Sequence, residues 1–129
     1  MTISCFEELE IWQEARELAK YIRSLTRKES FSKDYKLCNQ INGSAGSIMD
    51  NIAEGFERDG HKEFIQFLYI AKASNGETRS QGYRAFDALY ISEEELNAIL
   101  EKTKTLRLKI IGLINYLKKS EHKGSKFKV

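Results

Sequence analysis

Apolar residues recur along most of this chain at alternating spacings of three and four, the period of an α-helix with one buried face. Ile11, Ala15, Leu18, Ile22 and Leu25 form such a stripe, widened by Leu9, Trp12 and Ala19, and predict a first helix from about Phe6 to Arg27. The polar stretch Ser30 to Lys33 is expected to break it. Leu37, Ile41, Ala45, Ile48 and Ile52 predict a second helix, from Asp34 as N-cap to about Phe56. After the turn dipeptide Asp59-Gly60, the rhythm resumes at Phe64, Leu68, Ala71, Asn75, Thr78, Gly82, Ala85 and Leu89, predicting a third helix to about Tyr90. Ser92-Glu93-Glu94-Glu95 has the form of a capping box, with Ser92 as N-cap and Glu95 reaching back. Leu96, Ile99, Thr103, Leu106, Ile110, Leu113 and Leu117 follow in strict three-four order, the seam of coiled-coil-like packing. The connections are short and the chain has no proline. The fold expected is all-α, an antiparallel up-down-up-down four-helix bundle over residues 1–119, with a basic flexible tail at 120–129.

Three departures from an ordinary bundle stand out. Gly43, Gly46, Gly76 and Gly82 fall inside the second and third helices, where each costs about 0.8–1 kcal/mol relative to Ala. Close approach of the two backbones, with Ser44, Ser47, Asn51 and Ser74 bonding between them, is the packing account; a small-residue groove for a partner helix or ligand is the functional one. Next, Phe64 to Ala71 is apolar almost all round, so Ile65, Phe67 or Tyr69 is expected to face away from the core and be covered by a second copy of the chain. Scattered surface apolar residues are the plainer alternative. Finally, Asn51, Glu54 and Arg58 share one side of the second helix and its exit, while Glu77 and Gln81 lie four apart on the third. Buried together, Arg58 or Arg79 would pair with Glu54 or Glu77 in a structural network that sets register.

Composition narrows the class. With 31% charged and 41% hydrophobic residues in 129, the chain reads as one soluble globular domain. Its longest dense apolar run is far below the roughly 20 residues of a membrane span, and the opening residues lack the basic start of a signal peptide. The cytoplasm is therefore the expected compartment. The net charge is +2. Lys118, Lys119, Lys123, Lys126 and Lys128 against Glu121 give the last twelve residues +4, which leaves the rest at −2. A near-neutral body is weak support for a nucleic-acid partner, since such domains usually concentrate basic charge on one face.

The search for chemistry comes back empty. Bundle cores that hold di-iron sites carry Glu-x-x-His motifs, and none occurs here. Glu54, Glu57 and His61 are the nearest set, but the Asp59-Gly60 turn divides them. His122 falls in the tail. Cys5 and Cys38 read as reduced thiols with no histidine nearby to activate them. No glycine-rich phosphate loop is present, because the glycines lie within helices. No catalytic residue, cofactor, metal or small-molecule substrate is expected.

The run Ser47-Ile48-Met49-Asp50-Asn51-Ile52-Ala53-Glu54-Gly55-Phe56, then Arg58, Phe64, Phe67-Leu68-Tyr69-Ile70-Ala71, Ser74 and Gly76-Glu77-Thr78-Arg79-Ser80-Gln81, resembles the four-helix bundle family of 23S rRNA intervening-sequence proteins. The opening Phe6-Glu7-Glu8-Leu9-Glu10-Ile11-Trp12 is similar too, and the likeness extends over about residues 4–118. Met49 stands where many members have proline. The resemblance implies a cytoplasmic bacterial bundle that forms homopentamers, with a related branch serving as the accessory protein of diversity-generating retroelements and binding nucleic acid through a basic surface. It carries over no catalytic residues. At matching positions it implies packing or assembly roles for Asn51, Glu54, Gly55, Arg58, Ser74 and Glu77, beside Ile65, Phe67 and Tyr69 from the apolar run. The function expected is a non-enzymatic scaffold for structured RNA or a ribonucleoprotein, contacted through Lys72, Arg79, Arg84 and the lysines at 118, 119, 123, 126 and 128. The alternative is a protein-interaction module with no nucleic-acid partner.

Overall fold

The computed structural model of the chain describes residues 2–120, and every long element among them is a helix. A 3-10 turn at Phe6–Glu8 leads into α1 (Glu10–Thr26), α2 (Glu29–Ser32), α3 (Tyr35–Phe56), α4 (His61–Asp87) and α5 (Glu93–Ser120). The local chemistry sets these bounds. The Glu8 carboxylate accepts the N–H groups of Ser4 and Cys5, at 2.9 and 3.4 Å, and closes the first turn. Leu9 is extended (ψ 127°) with its side chain buried, so the single helix expected from Phe6 to Arg27 is divided there. Asp34 caps α3 by accepting the Leu37 N–H at 3.0 Å. Ser92 Oγ accepts the Glu95 N–H at 3.1 Å, and the Glu95 carboxylate accepts the Ser92 N–H at 2.9 Å, the reciprocal box the sequence predicts.

α1 packs on α3 and α5, α3 packs on α4, and α4 packs on α5, which closes a cycle of helices around one core. Ile22, Ile48, Leu68 and Ile110 are wholly enclosed at its centre. At the α3–α4 and α4–α5 contacts, residue numbers rise on one helix as they fall on the other. Ser44 meets Thr78 while Ser47 meets Ser74; Asn75 reaches Thr103 while Arg79 reaches Leu100. Lys28 pairs with Glu95 at one end of α1 and Lys109 with Glu14 near the other. Among the described residues no helix is long and apolar enough to cross a membrane.

Several expectations need correction. The polar stretch Ser30 to Lys33 does not simply break the chain: α2 forms there and inserts Phe31, 0% exposed, which stacks on Tyr90 with ring centroids 5.0 Å apart. Leu89, assigned to the inner face, is 85% exposed, because α4 ends at Asp87 and Leu89 turns into the left-handed region at φ 68°. The seam of α5 slips by one residue near its end, so that Ile114 is buried and Leu113 only half-buried. Residues 121–129 of the predicted tail lie outside the described residues.

Candidate nucleic-acid and assembly surfaces

The middle of the α3–α4 contact is polar, and its chemistry is neutral rather than charged. Ser44 Oγ lies 2.8 Å from Thr78 Oγ1 and donates to the buried Gln81 Oε1 at 2.6 Å. Ser47 and Ser74 hydroxyls meet at 2.9 Å, and Asn51 Nδ2 donates to Ser47 within its own helix. On the α5 side Asn75 Nδ2 donates to the Thr103 carbonyl at 2.8 Å, while its buried Oδ1 has no partner among the described residues. The charged network expected here does not form. Glu54 and Arg58 make an i,i+4 pair at 3.1 Å with about half of each side chain exposed, a geometry worth little in water. Glu77 is exposed. Arg79 turns inward instead, donating to the Leu100 carbonyl at 2.9 Å and Thr103 Oγ1 at 3.1 Å.

The glycines divide into two kinds. A Cβ on Gly55 would stand 2.6 Å from Phe67 Cβ, and one on Gly82 3.2 Å from Ile99, so close packing accounts for both. Around Gly43, Gly46 and Gly76 there is nothing within 4 Å, which removes the close-approach account for those three.

The apolar residues of α4 also sort differently from expectation. Ile65 is 8% exposed and covered by its own chain, so it needs no second copy. Phe67 is half-buried with the Arg58 guanidinium 5.1 Å from its ring centroid. Tyr69 is 45% exposed, and on the same helix so are Ile70 (48%) and Tyr83 (44%), two residues that the sequence reading did not single out.

The candidate cations are scattered. Lys72 is half-buried and Lys119 exposed. Lys118 stands 5.4 Å from the Tyr69 ring centroid and donates to its hydroxyl at 2.8 Å. Arg84 leans the other way, to Gln40 of α3 at 3.2 Å. Lys123, Lys126 and Lys128 lie outside the described residues.

Both thiols are free. Burial pushes the Cys38 thiol up, and the Asp34 carboxylate adds to it; burial likewise raises Cys5, helped by Glu8. Lys109 is held above its ordinary range by the Glu14 carboxylate and then by that of Glu10. Among the described residues no group of three or more His, Cys, Asp or Glu side chains converges as a metal site would need.

A family model described as 23S rRNA-intervening sequence protein matches residues 7–112, from the start of the first turn to late in α5. The chain belongs to that family. A crystal structure of an S23 ribosomal protein family member with unknown function, from Bacteroides thetaiotaomicron, is similar at a TM-score of 0.74 and 24% identity. The match covers 81% of this chain and 97% of that one, and at this identity it speaks for the fold alone. A search of curated proteins returned no match. This family member also carries a basic row that was not among the candidate cations. Arg16, Lys20 and Arg23 of α1 and Arg27 at its C-cap recur at spacings of four, three and four, a signal open to the same periodicity test as the apolar stripe.

Proposed function

We propose that this 23S rRNA-intervening sequence family member is a non-catalytic, antiparallel up-down-up-down four-helix bundle that assembles with copies of itself and binds structured RNA, alone or in a ribonucleoprotein. The opposed order of residue pairs at the α3–α4 and α4–α5 contacts supports the topology.

The observation that carries the reading is the outer side of α4. Tyr69, Ala73, Gly76, Ser80 and Tyr83 follow at spacings of four and three, a second seam with the period of helix packing. Large residues stand at its ends, and Gly76 has open space above it. A neighbouring helix fits that saddle, and copies joined by it repeat Lys72, Lys118 and Lys119 around the assembly. Such repetition offsets a near-neutral body, because many weak phosphate contacts sum to useful affinity. The family name itself, tied to 23S rRNA, agrees with an RNA partner in the cytoplasm; a pentamer is the assembly that the resemblance implies.

Light scattering tests the assembly. The full chain is expected to run as a stable oligomer, and Tyr69→Glu with Tyr83→Glu to reduce it to monomer while helical content is kept. A monomeric wild-type chain would overturn this half of the reading and favour a module that meets a different protein.

A further inference from the structure

Arg16, Lys20 and Arg23 on one side of α1 and Arg27 at its C-cap are all exposed. At 1.5 Å per residue their row is about 16 Å long. Across from them, Asn42 and Gly46 of α3 complete a surface groove of about 460 Å³, and no carboxylate lines it. The one acidic neighbour in an ion pair is Glu17, 3.6 Å from Lys20 with both side chains about two-thirds exposed, too solvated to neutralise the row. Arg16 lies 5.8 Å from the Trp12 ring centroid. Four like charges in a row repel one another, and among the described residues no ion pair holds Arg23 or Arg27 to the bundle.

The groove floor has the same character. A Cβ on Gly46 would meet nothing within 4 Å, so the glycine is not there for helix packing. It leaves the α3 backbone bare where a ligand backbone can approach closely. Beside it, Asn42 Nδ2 is committed to Thr26 Oγ1 at 3.1 Å and the Cys38 carbonyl at 3.0 Å. That orients the amide and leaves Oδ1 as an acceptor. A backbone phosphodiester offers no hydroxyl for it, whereas a ribose 2′-hydroxyl does. Two turns before Asn42 on α3, outside the groove's lining, Tyr35 is 76% exposed, a ring available for stacking.

We propose that this groove between α1 and α3 takes the sugar-phosphate backbone of an RNA strand. The proposal rests on the RNA-binding reading above but places the contact on a different face, since α1 packs on α3 and α5 and the outer seam belongs to α4.

The test uses the full chain and an end-labelled structured RNA over a salt series. Arg23→Gln with Arg27→Gln is expected to lower affinity about tenfold and to reduce the slope of log K against log salt by about 1.4–1.8, two phosphates' worth. Arg23→Lys with Arg27→Lys keeps the slope. Gly46→Leu fills the floor without touching a charge, and is expected to weaken binding several-fold with the slope unchanged and Tm not lowered. If wild type binds RNA and both the glutamine and Gly46→Leu variants bind equally well, the groove is overturned while the RNA reading stands. If wild type binds no RNA at low salt, both fall. Competition by inorganic phosphate as strong as by a ribose-bearing oligonucleotide would make the site a simple anion site, and glutamine variants that lose only an acidic peptide would assign it to a protein; either result overturns the proposal.

Discussion

Gly55 and Gly43 belong to the same helix but meet different surroundings, and this separates two effects of a missing side chain. At Gly55 a methyl group would press against Phe67 Cβ and Phe64, so Gly55→Ala is expected to destabilise by about 1–3 kcal/mol through overpacking. At Gly43 nothing stands in the way, and Gly43→Ala is expected to stabilise by about 0.5–1 kcal/mol by restricting the unfolded chain. Urea denaturation of the two variants checks both signs. The sequence shows that interior glycines need a reason but not which reason, because a glycine has no side chain whose polarity marks the face it occupies. Arg79 was open to two readings, an RNA contact or a buried partner of Glu54 or Glu77, and its guanidinium is held instead by the Leu100 carbonyl and Thr103.

Helices with strong periodicity and explicit caps are legible residue by residue, as Asp34 over α3 and the Ser92–Glu95 box over α5 show. Burial opposes ionisation of Glu95, but bonds from the Lys28 ammonium and the Ser92 N–H outweigh it and hold the carboxyl below its usual range. A folded-state value below the unfolded one means stability that is present above the ordinary carboxylate range and lost as pH falls through the lowered value. Glu95→Gln is therefore expected to lower the urea midpoint at neutral pH and to flatten its decline in acid. A variant with the wild-type acid limb would contradict this. Short elements hide more. Phe31 sits among Glu, Ser and Lys with no period to mark it, yet α2 buries it completely against Tyr90. Phe31→Ala is expected to cost about 3–5 kcal/mol, read by thermal or urea unfolding; a loss below 1 kcal/mol would mean that α2 is not part of the core.

At the scale of the whole molecule, the cycle of α1, α3, α4 and α5 covers less of α4 than its composition requires and turns the basic row of α1 outward. The apolar excess of α4 was legible in the sequence, but its direction was not. Ile65 is covered by its own chain, whereas Tyr69, Ile70 and Tyr83 remain open. The basic row was legible as spacing, and its meaning waited on knowing that α3 presents Asn42 and Gly46 opposite it. Both surfaces enter the proposed function, whose central claim is that the chain binds RNA through its phosphates. The most direct measurement is the affinity of the full chain for a labelled structured RNA across salt, from roughly 50 to 200 mM. The account predicts tight binding at low salt and a straight, steep fall of log K against log salt. No binding at low salt, or an affinity indifferent to salt, would contradict it.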